Sequence, residues 1–100
     1  MNETDIMQLV RIKASELGAV LWRNNVGRLQ DVTGRWVQFG LCNGSSDLIG
    51  YFKGKFLALE IKVPGKKPTP EQINFIERVN KAGGIAAVVT SPDQLEDILR

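Results

Sequence analysis

The 100-residue chain has no histidine and a single cysteine, Cys42. Without histidine there is no imidazole metal ligand, no Ser–His or Cys–His nucleophile pair and no imidazole general base. A lone cysteine excludes a disulfide framework and a cysteine-based zinc site. Cys42 is expected to be a small, partly buried hydrophobe rather than a reactive thiol. Long apolar runs are missing too, and none approaches the ~20 residues of a membrane span. The opening Met1-Asn2-Glu3-Thr4-Asp5 lacks the basic start and apolar core of a signal peptide, so the cytoplasm is the expected location. Hydrolytic chemistry is left to carboxylates, lysine and an oxygen-seeking divalent ion such as Mg²⁺ or Mn²⁺.

What is present suits one domain spanning residues 1–100. With 43% hydrophobic and 24% charged residues, the chain can build a core and is too apolar for a disordered segment. A domain this small buries only about two-thirds of the surface its unfolded chain exposes, so a partner subunit would add stability. The net charge of +2 leans weakly towards a nucleic-acid partner.

Along the chain, residues 3–17 have the spacing of a helix, with Ile6, Leu9, Val10, Lys13 and Leu17 on one stripe, Asn2 as N-cap and Gly18 as stop. Residues 19–23 are a short β-like run. Residues 24–33 are loop-like, and Thr33-Gly34 marks a turn before a second β-like run at 35–39. A loop covers 40–46. Two strongly apolar runs then flank Lys53-Gly54, which predicts a hairpin over 47–62. After the basic connector Val63-Pro64-Gly65-Lys66-Lys67-Pro68, Thr69-Pro70-Glu71-Gln72 opens a second helix with a capping box. Ile73, Phe75, Ile76, Val79 and Ala82 are its apolar face, and Gly83-Gly84 ends it. Ile85–Val89 predicts a strand buried on both faces, and Ser91-Pro92 starts a last short helix. A hairpin-rich start followed by a helical crossover to a buried strand implies an α/β (α+β) domain with a mixed sheet flanked by helices.

The chemistry concentrates on the hairpin. A two-residue turn pairs 52 with 55 and, down the ladder, Asp47 with Glu60. Lys62 follows Glu60 on the same face because strand side chains alternate. Directly opposed carboxylates destabilise a sheet, so a cation between them is the natural explanation, and a lysine suits a reaction on phosphate. A three-residue turn would instead shift the register and leave the acids diagonal or splayed. The alternative for the pair is two solvent-facing residues at the hairpin's open end. Against it, Leu48, Ile49, Leu57, Ala58, Leu59 and Ile61 make both faces of the hairpin apolar. Lys62 either pairs with one of the acids or orients the attacking water and stabilises charge on phosphate. Glu3 suits the helix dipole and Gln72 suits the capping box, so neither needs a functional role on this ground. Arg23, Arg28, Arg35, Lys66 and Lys67 form either a basic rim for phosphates or scattered surface charge. Trp22, Trp36 and Phe39 are expected in the core or a dimer interface rather than as base-stacking platforms.

Gly44-Ser45-Ser46-Asp47-Leu48-Ile49-Gly50 followed by Leu59-Glu60-Ile61-Lys62 resembles the split acid and Glu-x-Lys signature of the PD-(D/E)xK nucleases. With Glu3 at the start of the first helix, Arg23-Asn24 and Gly27, Thr69-Pro70-x-Gln72 and Gly83-Gly84 before an apolar strand, the chain is similar from end to end to one branch, the virus-type replication-repair nuclease (VRR-NUC) domain. Ser46 stands where that branch often has proline, a position that carries no chemistry. The resemblance implies a restriction-endonuclease-like core of order α-β-β-β-α-β. It implies that Asp47, Glu60 and the Ile61 carbonyl bind Mg²⁺ or Mn²⁺, and that Lys62 positions the nucleophilic water. Glu3 would act directly or through water, and Gln72 would support the site. The implied reaction is phosphodiester hydrolysis leaving a 5′-phosphate. Short stand-alone members look like phage or prophage proteins of the bacterial cytoplasm and resemble Holliday junction resolvases, acting as homodimers on branched DNA. A nuclease directed to flaps or ends, and a non-catalytic DNA-binding or assembly module, are the competing functions.

Overall fold

Asn2 starts the fold. In the computed structural model of the chain, which describes residues 1–100, its side chain accepts the Asp5 N–H at 2.8 Å while Asp5 accepts the Asn2 N–H at 3.3 Å. This capping box fixes the first turn of α1 (Glu3–Glu16). Ile6, Val10 and Ala14 are its buried stripe. Leu9, expected in that stripe, is exposed: the i, i+4 row from Ile6 to Ala14 fills the contact, and Leu9 lies about 100° round the helix from Val10.

Six strands follow in chain order with two further helices: β1 (Val20–Arg23), β2 (Gly27–Gln30), β3 (Trp36–Phe39), β4 (Leu48–Phe52), β5 (Lys55–Ile61), α2 (Pro70–Lys81), β6 (Ile85–Val89) and α3 (Leu95–Ile98). The main sheet runs β1-β4-β5-β6. β1, β4 and β5 are antiparallel, and β6 joins β5 in parallel after the α2 crossover, so the sheet is mixed as expected. α2 begins with the Thr69/Gln72 capping box that the sequence announces. Leu48, Leu57, Leu59, Ile61, Val10, Val89 and Leu95 are fully buried, and each such aliphatic side chain contributes about 1.5–3 kcal/mol. Four of them lie on β4 and β5, so the hairpin carrying the acids is the most firmly held part of the molecule. β6 is less enclosed than expected, with Ala86 and Val89 buried and its other residues half-buried.

Segment 24–33, expected as a loop, contains β2, which pairs with β3 in a separate two-stranded ribbon. The turn between them is held by Asp31, whose Oδ1 accepts the N–H of Thr33 at 2.8 Å, the Thr33 hydroxyl at 2.6 Å and the N–H of Arg35 at 3.0 Å. Trp22, Trp36 and Phe39 are not core residues; all three are exposed in the single chain. β1 is a sheet edge, and the ribbon lies outside the main sheet. Cys42 is exposed rather than partly buried, because the 40–46 loop is exposed over 40–43 and turns inward only at Ser45 and Ser46.

Candidate active site

Lys53 and Gly54 both have positive φ, +49° and +79°, the backbone of a two-residue turn whose twist matches its strands. The register then runs from Phe52 opposite Lys55 to Leu48 opposite Leu59, which makes Asp47 and Glu60 the next pair. The three-residue turn is thereby excluded. Asp47 Oδ2 reaches across to accept the Ile61 N–H at 2.9 Å.

Glu60 is the anomalous residue. It is 2% exposed, and its Oε1 is sealed from solvent with no hydrogen-bond partner. Its carboxyl is pushed up to about 8, first by burial, then by hydrogen bonding to and repulsion from Asp47; Lys62 pulls it the other way and Glu3 adds a smaller upward push. A sealed carboxyl oxygen without a partner, on a group facing a second carboxylate, is a cost to the fold. A cation shared by the two acids removes both faults, so the residues fit the divalent ion that the sequence pattern implies. No third His, Cys, Asp or Glu joins the pair in a cluster. Glu3 is exposed on the first turn of α1, with its charge felt at Glu60.

Lys62 is half-buried, and its N–H donates to the Val89 carbonyl at 3.1 Å, anchoring its backbone to β6. The chain's ion pairs are Lys13–Glu96, Arg35–Asp31 and Arg100–Asp97. Lys62 belongs to none of them, so the simple ion pair with an acid is not formed, although its charge is felt at Glu60.

Asn24 belongs to the family pattern, but its role is not apparent in the sequence. Its amide donates to Ser45 Oγ at 2.7 Å and to the Ser46 carbonyl at 2.9 Å, and its Oδ1 accepts the Leu41 N–H at 3.0 Å. Its own N–H donates to the Asp47 carbonyl at 2.7 Å. Ser45 Oγ in turn donates to the Cys42 carbonyl at 2.6 Å. The loop that delivers Asp47 is thus laced to one side chain. The same loop rests on α2 at Gly44, where an added Cβ would sit 2.6 Å from the Glu71 carbonyl oxygen. This contact brings Gln72 to a polar cleft of about 320 Å³ shared with Asn24, Asn25, Ser45 and Asp47. Gln72 Oε1 accepts the Thr69 N–H at 2.8 Å as the cap requires. The cleft reaches Asp47 but not Glu60 or Lys62, and the larger hollows, of about 520 Å³ beside Phe56 and Phe75 and about 660 Å³ beside Arg11 and Ile12, touch none of the three; the paired acids, not a hollow, mark the site.

All five candidate phosphate contacts are exposed. Arg23 ends β1 opposite Leu48, and Lys66 and Lys67 lie on the connector after Lys62. Arg28 and Arg35 belong to the ribbon and its turn, with Arg35 3.5 Å from Asp31.

An antiparallel hairpin bearing Asp and Glu-x-Lys, extended through a crossover helix by a parallel strand, defines a nuclease of the PD-(D/E)xK type. The sequence model of the VRR-NUC domain matches residues 1–93, and the chain belongs to that family. A solved structure described as a VRR_NUC domain is similar in fold, with 24% identity and a TM-score of 0.66 over 96% of this chain and 91% of its own. A search of curated proteins found no match. Family membership makes the chain a nuclease, a hydrolase acting on DNA.

Proposed function

We propose that the protein is an Mg²⁺- or Mn²⁺-dependent endodeoxyribonuclease that cuts branched DNA, four-way junctions foremost, as a homodimer. The observation carrying the metal dependence is the sealed, partnerless Oε1 of Glu60, on a carboxyl that faces Asp47. Asp47, Glu60 and the Ile61 carbonyl are the oxygen donors for the ion. When bound, it supplies Lewis-acid polarisation of the phosphoryl group and neutralises charge developing there. Lys62 orients the attacking water and stabilises that same charge. Glu3 acts at longer range through water. Gln72, with Oε1 engaged in the helix cap, offers Nε2 to the cleft. Arg23, Arg28, Arg35, Lys66 and Lys67 hold phosphates along the DNA. Symmetric cutting of two strands calls for two sites related by a two-fold axis, which supports the dimer.

The test incubates the pure protein with four-way junction, flap and linear duplex DNA, in Mg²⁺, Mn²⁺ or EDTA, beside Lys62→Ala. Symmetric metal-dependent junction cuts are expected, slowed by about 10²–10³-fold in the variant with DNA binding retained. Cleavage restricted to flaps or ends keeps the site and removes the junction preference. DNA bound without cleavage on any substrate leaves a non-catalytic module.

A further inference from the structure

The main sheet has one covered face and one half-bare face. Alternation along the strands puts Leu48, Phe52, Leu57, Leu59, Ile61 and Val89 on one side, and all of them join the α1 stripe in the core cluster. Ala58, Glu60 and Ala86 lie on the other side, buried where α2 crosses β5 and β6. No helix packs extensively on β4, and α1, which touches β1, serves the core side. Val20, Trp22, Ile49 and Tyr51 therefore form an uncovered strip on the side of the acids. Trp22 is 56% and Tyr51 47% exposed, while Val20 and Ile49 are half-buried. The two rings lie 5.8 Å apart between centres with their planes at 42°, a tilted contact that leaves π-faces free. The register sets this strip against the acids. Tyr51, Ile49 and Asp47 succeed one another on one face, and the Asn24 N–H bond to the Asp47 carbonyl extends the β1–β4 ladder by one pair. Trp22, opposite Ile49, is the diagonal neighbour of Asp47, at about 7–8 Å.

We propose that Trp22 and Tyr51 are a stacking platform for an unpaired base of the DNA, beside the phosphate that is cut. The occupant follows from charge as well as shape. Between Asp47 and Glu60 the hairpin has no acid, and Lys53 and Lys55 are exposed at its tip. Flat aromatic groups carried on a polyanion match aromatic faces set between the acid pair and a cationic tip, and DNA is the polyanion on which this family acts. A nucleotide whose phosphate lies at the acid pair reaches Trp22 with its base. Inside a duplex each base is covered above and below by its neighbours, so the platform takes only a base freed by a crossing point, a flap or a single-stranded end. Irregular DNA is then read next to the cut, by one chain. Trp22 and Tyr51 are positioning residues, which hold the strand and touch no reacting atom. The inference rests on the nuclease reading proposed above, adds a substrate feature to it, and does not depend on a dimer.

Binding in EDTA reads the platform apart from cleavage. The probes are a forked DNA with a single-stranded arm, the same fork with abasic sites throughout that arm, and blunt duplex. In a Trp36→Phe background Trp22 is the sole tryptophan, and its fluorescence is expected to be quenched by the fork and far less by the abasic fork or the duplex. Trp22→Ala is expected to weaken binding of the fork by ~10-fold or more, and of the abasic fork by less than about twofold. Trp22→Phe restores most of the loss, and Tyr51→Ala repeats the pattern at smaller size, both with the circular dichroism spectrum of wild type. Wild type that fails to prefer the arm with bases overturns the inference. So does a Trp22→Ala variant with no loss, or with an equal loss on both forks, which marks a structural role. A loss that sedimentation velocity traces to a dissociated oligomer overturns it too, and makes the strip a contact between copies. Cleavage is scored separately in Mn²⁺. Base-dependent binding without cutting keeps the platform and ends the nuclease reading, whereas cutting without base dependence does the reverse.

Discussion

Glu60 bears the clearest conflict between folding and function in this chain. Its ordinary value is near 4.5 and its folded value about 8, which fixes the sign of its effect on stability. Below 4.5 both folded and unfolded chains hold the proton, and there is no penalty. As pH rises from there, the unfolded chain releases its proton while the folded one retains it, so the folded state loses ground until pH 8 and no further. Most carboxylates in proteins work the other way. Glu60→Gln keeps the shape, removes the charge and provides an amide that can donate to Asp47. In the metal-free protein it is expected to leave Tm nearly unchanged at pH 5 and to raise it by ~5 °C or more at pH 8.5. Thermal melts at the two pH values check this. Equal shifts at both, or a loss at pH 8.5, would mean that burial and the facing Asp47 do not raise the Glu60 carboxyl.

At the level of elements, the loop before Asp47 depends on Asn24. Asn24→Ala removes three side-chain hydrogen bonds, two of them part-buried, and is expected to cost about 2 kcal/mol. Urea denaturation measures that loss. Cleavage is expected to fall even under conditions where the variant is fully folded, because Asp47 is no longer held in place; full activity in the folded variant would reduce Asn24 to a stability residue. The sequence shows the hairpin and α2 plainly because their signals are local: Lys53-Gly54 between apolar runs, and Thr69, Pro70 and Gln72 within four positions. The register follows from the turn alone, and with it the pairing of Asp47 and Glu60. Asn24 is opaque because its partners lie at positions 41, 45 and 46, joined only by the folded loop. β2 is hidden for a different reason. Leu29 is its one large apolar residue, Gly27 weakens it as a strand, and Asp31 to Gly34 resemble an open loop until the Asp31 carboxylate closes the turn. Trp22, Trp36 and Cys42 show the limit of residue type as a guide: an apolar side chain says what would bury it well, not whether the single chain does so.

For the whole molecule, the same carboxyl ties metal binding to pH and to stability. Metal-free Glu60 holds its proton at neutral pH, and an oxygen-ligated ion needs it deprotonated. Binding of Mn²⁺ at pH 7 is therefore expected to release close to one proton, measurable by calorimetry in buffers of different ionisation enthalpy. Affinity should rise about tenfold per pH unit below 8 and level off above it. A ligand that binds only the folded state stabilises by RT ln(1 + [L]/Kd), and in a domain of 100 residues each kcal/mol moves Tm by about 4–8 °C. The Tm increment from a fixed Mn²⁺ concentration should thus grow from pH 6 to pH 8, while the metal-free Tm falls as Glu60 is held against its preferred charge. The two trends oppose each other because one proton serves both. An Mn²⁺ increment that is the same at pH 6 and pH 8, with no proton released, would show that the ion binds without displacing the Glu60 proton and would take this residue out of the metal site.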